Sequence, residues 1–158
     1  MSRYRGAFMD LNSFLLIIHI AAAATWFGAN IMQAVVPPLM AKQSVEAVAG
    51  WYRVGAGLSK KLYMPAALLI LVTGIWMVLR IEAFGLGTRF VTVGFVVIII
   101  GAILGIVVFT PGGEAAAEAV ESGDQSRIKA SSAKLAMWGT VDTLLILFAI
   151  GVMVIRWS

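Results

Sequence analysis

Residues 11–36 read LNSFLLIIHIAAAATWFGANIMQAVV and contain no Asp, Glu, Lys or Arg. Crossing roughly 30 Å of hydrocarbon at 1.5 Å per residue takes about 20 mainly apolar residues in a helix, and this stretch exceeds that. It is apolar on every face, which fits a helix and not a barrel strand of about 10 alternating residues. Arg3 and Arg5 ahead of it, with the small residues Ala21 to Ala24, imitate a secretory leader. The apolar run continues well past them through Trp26, Phe27 and Ile31, so it reads as a retained span and not as a cleaved segment.

Outward from this stretch, the same test is met by Leu62 to Leu79 and Phe90 to Thr110, both uncharged, and by Leu135 to Ile155. The chain has 158 residues, of which 61% are hydrophobic and 13% charged, where a soluble globular domain carries about 25% charge. That balance excludes a soluble or a disordered protein. The expected architecture is an all-α bundle of four membrane-spanning helices in a single integral domain, surrounded by lipid. Two loops carry helical signals of their own. Between the first two spans, Trp51 and Tyr52 among charges suggest a short interfacial helix. Between the last two, the alanine-rich stretch Glu114 to Glu121 should start a helix after Gly112-Gly113, break at Ser122-Gly123-Asp124, and resume from Ser126 into the fourth span.

Orientation follows from lysine and arginine in the short loops. The side with the termini holds Arg3, Arg5, Arg80, Arg89 and Arg156, and the other holds Lys42, Arg53, Lys60, Lys61, Arg127, Lys129 and Lys134, a small excess that puts both termini outside. The basic pI of 9.8 is then explained by span ends facing anionic headgroups. No interleaving of basic and aromatic residues points to nucleic acid.

Polar residues inside a span carry the most information, because burying them unsatisfied costs several kcal/mol per group. At about 100° per residue, Asn12, His19, Trp26, Asn30 and Gln33 fall within roughly 60° of one another on the first span, with Ala23 beside them. Such a stripe faces other helices or a cofactor between them. Ala21 to Ala24 thin the helix near His19. In the third span Gly94, Gly101 and Gly105 share a face, and Gly101 with Gly105 forms a GxxxG. This face admits either a closely packed helix or a planar macrocycle. Asp142 is the only acid well inside a span, a proton or ion-pair site for which Lys60 or Lys61 is the expected partner, on the matching side of the membrane.

The chain has no cysteine and one histidine. This excludes disulfides, thiolate metal sites and covalently attached c-type haem, and leaves a zinc site short of donors. Haem b needs one strong protein ligand, and His19 is the residue that can supply it; the alternative is an imidazole hydrogen-bonded to a neighbouring helix. No nucleophilic triad, phosphate-binding glycine loop or paired carboxylates occur.

The stretch His19-Ile20-Ala21-Ala22-Ala23-Ala24-Thr25-Trp26-Phe27-Gly28-Ala29, followed in the second span by Lys61-Leu62-Tyr63-Met64-Pro65-Ala66 and Thr73-Gly74-Ile75-Trp76, resembles the CopD and HemJ-like bacterial four-helix membrane proteins. The fourth span is similar in style only. The resemblance implies a four-helix bundle in the bacterial inner membrane and, for HemJ-like members, haem b held by the first-span histidine, here His19, in the oxidation of protoporphyrinogen. The chain departs from HemJ where Arg89 stands near that family's third-span lysine, and where Thr140, with Asp142 two residues on, falls at its last-span acid. Arginine does not readily replace a lysine amine as base or ligand.

Three functions follow as expectations. The first is haem b binding by His19, with Ala23, Trp26, Gly101 and Gly105 making the space, in electron transfer or porphyrin metabolism. The second is a non-enzymatic subunit of a larger membrane complex or a homo-oligomer, and the third is CopD-like copper handling through the thioethers of Met32, Met40 and Met64.

Overall fold

A computed structural model describes residues 11–80 and 85–155. Arg3, Arg5 and Arg156, counted in the charge balance, lie outside them. All regular structure among the described residues is helical: α1 (Leu11–Met40), α2 (Val45–Leu58), α3 (Met64–Arg80), α4 (Arg89–Leu104), α5 (Thr110–Ser122) and α6 (Gln125–Ile155). Single π turns, Ser59–Tyr63 and Gly105–Phe109, join α2 to α3 and α4 to α5 without a break. Four continuous helical rods of 30, 36, 34 and 31 residues result, each long and apolar enough to cross a membrane. The molecule is an all-α four-helix bundle and a multi-pass membrane protein, and exposed Leu16, Leu68, Ile103 and Leu147 give its outer face the apolar character that lipid contact requires.

Within the bundle α1 packs chiefly on α3 and α4 on α6, and α1 also touches α6 while α3 meets α4. The core is Trp26, Val97, Ile98, Ile146 and Ala149, with Phe27, Tyr63 and Ile70 against it. It lies between the helices, as expected when lipid covers the outside.

Two loop expectations need correction. The helix carrying Trp51 and Tyr52 exists, but it is not a separate short element: it runs through the π turn into α3, and its inner face packs on α5. Small residues permit the approach, since a Cβ on Gly113 would stand 3.0 Å from the Ala56 Cβ and 3.0 Å from the Tyr52 carbonyl. Val48, Ala49 and Val120 close this second cluster, with Met40, Tyr52 and Ile128 beside them. Pro111-Gly112-Gly113 likewise does not interrupt the helix, which continues beyond the apolar span. The preceding π turn absorbs the disruption, with the Thr110 N–H and its hydroxyl both donating to the Gly105 carbonyl, the hydroxyl at 2.9 Å. Pro37 and Pro38 also lie inside a helix, α1, within a turn of its end and with no π turn before them. The expected break does occur at Gly123, which takes a left-handed φ of 68° that glycine adopts without strain. Asp124 then caps α6, its carboxylate accepting from the Ser126 and Arg127 amides at 3.0 and 3.1 Å.

Across the α2–α5 contact, Arg53 donates to both carboxylate oxygens of Glu121, the second bond at 2.6 Å. These hydrogen bonds hold the Glu121 carboxyl below the ordinary carboxylate range. Because the folded value lies below the unfolded one, the stabilisation from this pair is fully present above the ordinary carboxylate pKa and fades as pH falls through the folded value. The pair is exposed, so its effect on stability is small. In carbon NMR titrations the Glu121 carboxyl of the native protein should titrate below that of Arg53→Ala; coincident curves would show that the pair does not persist in solution.

Candidate functional site

The stripe on α1 turns inward except at Asn12, in the first turn, which is exposed at the edge of the cavity described below. His19, Trp26 and Asn30 are all buried, and Gln33 is half-buried against Gly55 of α2. Its members do two separate jobs, one helical segment apart.

At the upper level, nearer the chain termini, His19 and Thr73 of α3 share a buried hydrogen bond of 2.9 Å. The Thr73 hydroxyl donates its single hydrogen to the Leu69 carbonyl at 2.5 Å, one turn back. It therefore accepts from His19, which places the ring hydrogen on Nδ1 and the lone pair on Nε2. Gly74 leaves room for the ring: a Cβ there would lie 3.3 Å from the His19 Cε1. His19 and Ala23 line a cavity of about 730 Å³ between α1, α3, α4 and α6, walled mainly by apolar side chains such as Phe27, Phe95 and Ile98. Its size falls in the range of small-molecule and cofactor sites, roughly 300–1,000 Å³.

At the lower level Asp142 of α6 is 2% exposed. Its Oδ2 accepts from the Trp26 indole Nε1 at 3.0 Å and from the Asn30 amide at 2.7 Å, while Oδ1 is buried without a partner among the described residues. The Tyr63 ring stands edge-on to Trp26, 5.7 Å between centroids. Gly101 completes the layer, since a Cβ there would meet the Trp26 ring at 2.5 and 2.9 Å and the Asp142 Oδ1 at 3.2 Å.

The sequence-derived site residues therefore separate. His19 and Ala23 reach the cavity. Trp26 and Gly101 belong to the layer beneath it, pressed on each other. Gly105 begins a π turn, and a Cβ there would meet nothing within 4 Å. The expected pairing of Asp142 with Lys61 is not formed, nor is one with Lys60: neither ion pair found among the described residues includes them, and both lysines are exposed. The physical reason is the π turn in which they sit, which directs Tyr63 inward and leaves the lysines outward. Comparison with known families, characterised proteins and solved structures finds no match.

Asn30 belongs to the polar stripe and Thr73-Gly74 to the second-span motif, but nothing in the sequence pairs Asn30 with Asp142, or Thr73 and Gly74 with His19. The three candidate copper thioethers have different surroundings: Met40 packs in the α2–α5 cluster, whereas Met32 and Met64 are exposed. Among the described residues no three His, Cys, Asp or Glu side chains gather around a common point. A cofactor that brings its own equatorial ligands makes a smaller demand. The chain offers one imidazole whose Nδ1–H is held by the Thr73 hydroxyl, beside a largely apolar cavity.

Proposed function

We propose that this membrane protein binds haem b through His19 and serves electron transfer or porphyrin and haem metabolism in a bacterial inner membrane. The observation that carries the reading is the His19–Thr73 hydrogen bond at 2.9 Å beside the cavity of about 730 Å³. The resemblance of the first two spans to CopD and HemJ-like proteins supports it. When bound, haem supplies a one-electron redox centre. The protein's own part is to hold and orient the ring: Thr73 fixes the imidazole tautomer, Gly74 and Ala23 leave space beside it, and the apolar walls keep water away. The Asp142–Trp26–Asn30 layer ties α1 to α6 beneath the cavity and so sets where His19 stands.

The purified protein should show a Soret band that His19→Ala abolishes. Thr73→Val, which removes the acceptor for Nδ1–H, should weaken haem affinity by roughly 10–100-fold, as loss of a ligand's second-shell partner does. A preparation that stays colourless after haem is added overturns the reading. If such a preparation also co-purifies with other membrane proteins, the buried stripe serves an accessory subunit instead.

A further inference from the structure

The part of the cavity wall formed by α4 and α6 offers a second donor, a thioether. α1 packs on α3 and α4 packs on α6, so the cavity lies between two helix pairs. In the first pair, the His19 ring of α1 lies over Gly74 of α3. In the second, Met153 of α6 lies over Gly94 of α4 in the same manner: a Cβ on residue 94 would overlap the Met153 Cε. Each glycine makes room for one side chain from the neighbouring helix. His19, Gly94 and Met153 also border a smaller void of about 40 Å³ that adjoins the cavity.

The depths agree. Asp142 receives hydrogen bonds from Trp26 and Asn30, which sets the register of α6 against α1. Counted from that layer at about 1.5 Å per residue, His19 lies roughly 13 Å above the midpoint of Trp26 and Asn30, and Met153 roughly 16 Å above Asp142. They are within a turn of the same level.

From this placement we infer that Met153 is the second axial donor to the haem held by His19, and that Gly94 positions it. The inference rests on the haem reading above. Thioether sulfur binds haem iron opposite a histidine, where it raises the reduction potential. Met77 also lines the cavity, on α3, and is the competing thioether; Met137, exposed on α6 and outside the cavity lining, serves as the control.

The test uses the full chain in detergent, titrated with hemin and followed by absorption, electron paramagnetic resonance and redox titration. The native protein should be low-spin. Met153→Leu should keep the Soret band, become high-spin and titrate at a lower potential, whereas Met137→Leu should match the native protein; loss of the low-spin signal in Met77→Leu and not in Met153→Leu overturns the assignment. Met153→His should restore a low-spin spectrum at a potential below the native value, which answers the case in which Met153→Leu folds poorly. Native haem uptake with an unchanged spin state and potential in Met153→Leu overturns the assignment while leaving His19 as ligand. No haem uptake by the native protein overturns both.

Discussion

Asp142→Ala is expected to lower the stability of the bundle by about 2–4 kcal/mol, and Asp142→Asn by clearly less. The alanine variant removes the acceptor shared by the Trp26 indole and the Asn30 amide. Both donors come from α1, and at this depth neither can turn to water. An orphaned buried donor costs about 1–3 kcal/mol, a figure reduced in membranes because the unfolded segment also finds partners in lipid. Asparagine keeps a carbonyl oxygen in place for both N–H groups and leaves its own amide without an acceptor, in a position where Asp142 Oδ1 finds no donor among the described residues. Thermal unfolding in detergent, followed by loss of helix signal, measures the order native, asparagine, alanine. Equal melting for Asp142→Ala and the native protein would mean that the two hydrogen bonds contribute nothing to holding α1 on α6. Haem uptake by the alanine variant should fall as well, because the register that sets the depth of His19 is lost with them.

How far the sequence reaches is visible in the same layer. The four spans are legible because hydrocarbon imposes a length and a composition on any helix that crosses it, and this demand is local. The inward direction of His19, Trp26 and Asn30 is legible for a related reason: their spacing puts them on one face, and that face cannot meet lipid. The partner of Asp142 is not legible. Charge suggests Lys61, but the actual donors lie 112 and 116 residues away and are neutral. Choosing between them requires the rotation of α3 about its axis, which the π turn at Ser59–Tyr63 alters and for which the sequence carries no marker. The second π turn has the same effect at Pro111: local rules end a helix there, whereas the chain bonds Thr110 back to Gly105 and continues. Thr73 illustrates the remaining gap. Its hydroxyl is satisfied by its own helix, so nothing in the sequence requires it to meet a histidine 54 residues away.

Gly101→Ala should be the most damaging single-methyl addition in the membrane core. The new Cβ would stand 2.5 Å from the Trp26 Cζ2 and 2.9 Å from Cη2. Relief by moving the indole is restrained, since its N–H is bound to Asp142 and the Tyr63 ring packs nearly perpendicular to it. Either α4 backs away from α1 or the Trp26–Asp142 bond breaks, and overpacking of this kind costs about 1–3 kcal/mol. Gly105→Ala adds the same methyl four residues along the same helix into open space and should be close to neutral, which separates the clash from the general effect of alanine on a helix. The origin of the cost can be isolated with Trp26→Phe, which deletes the two ring atoms that the methyl would strike and also deletes the hydrogen bond to Asp142. Phenylalanine alone should be destabilising, but Gly101→Ala added to it should cost much less than in the native background. A double-mutant cycle on unfolding free energies then gives a coupling of about 1–2 kcal/mol, within the range for residues in contact. Additive effects would mean that Trp26 is not seated on Gly101, and the α1–α4 approach beneath the cavity would have to be held by other contacts.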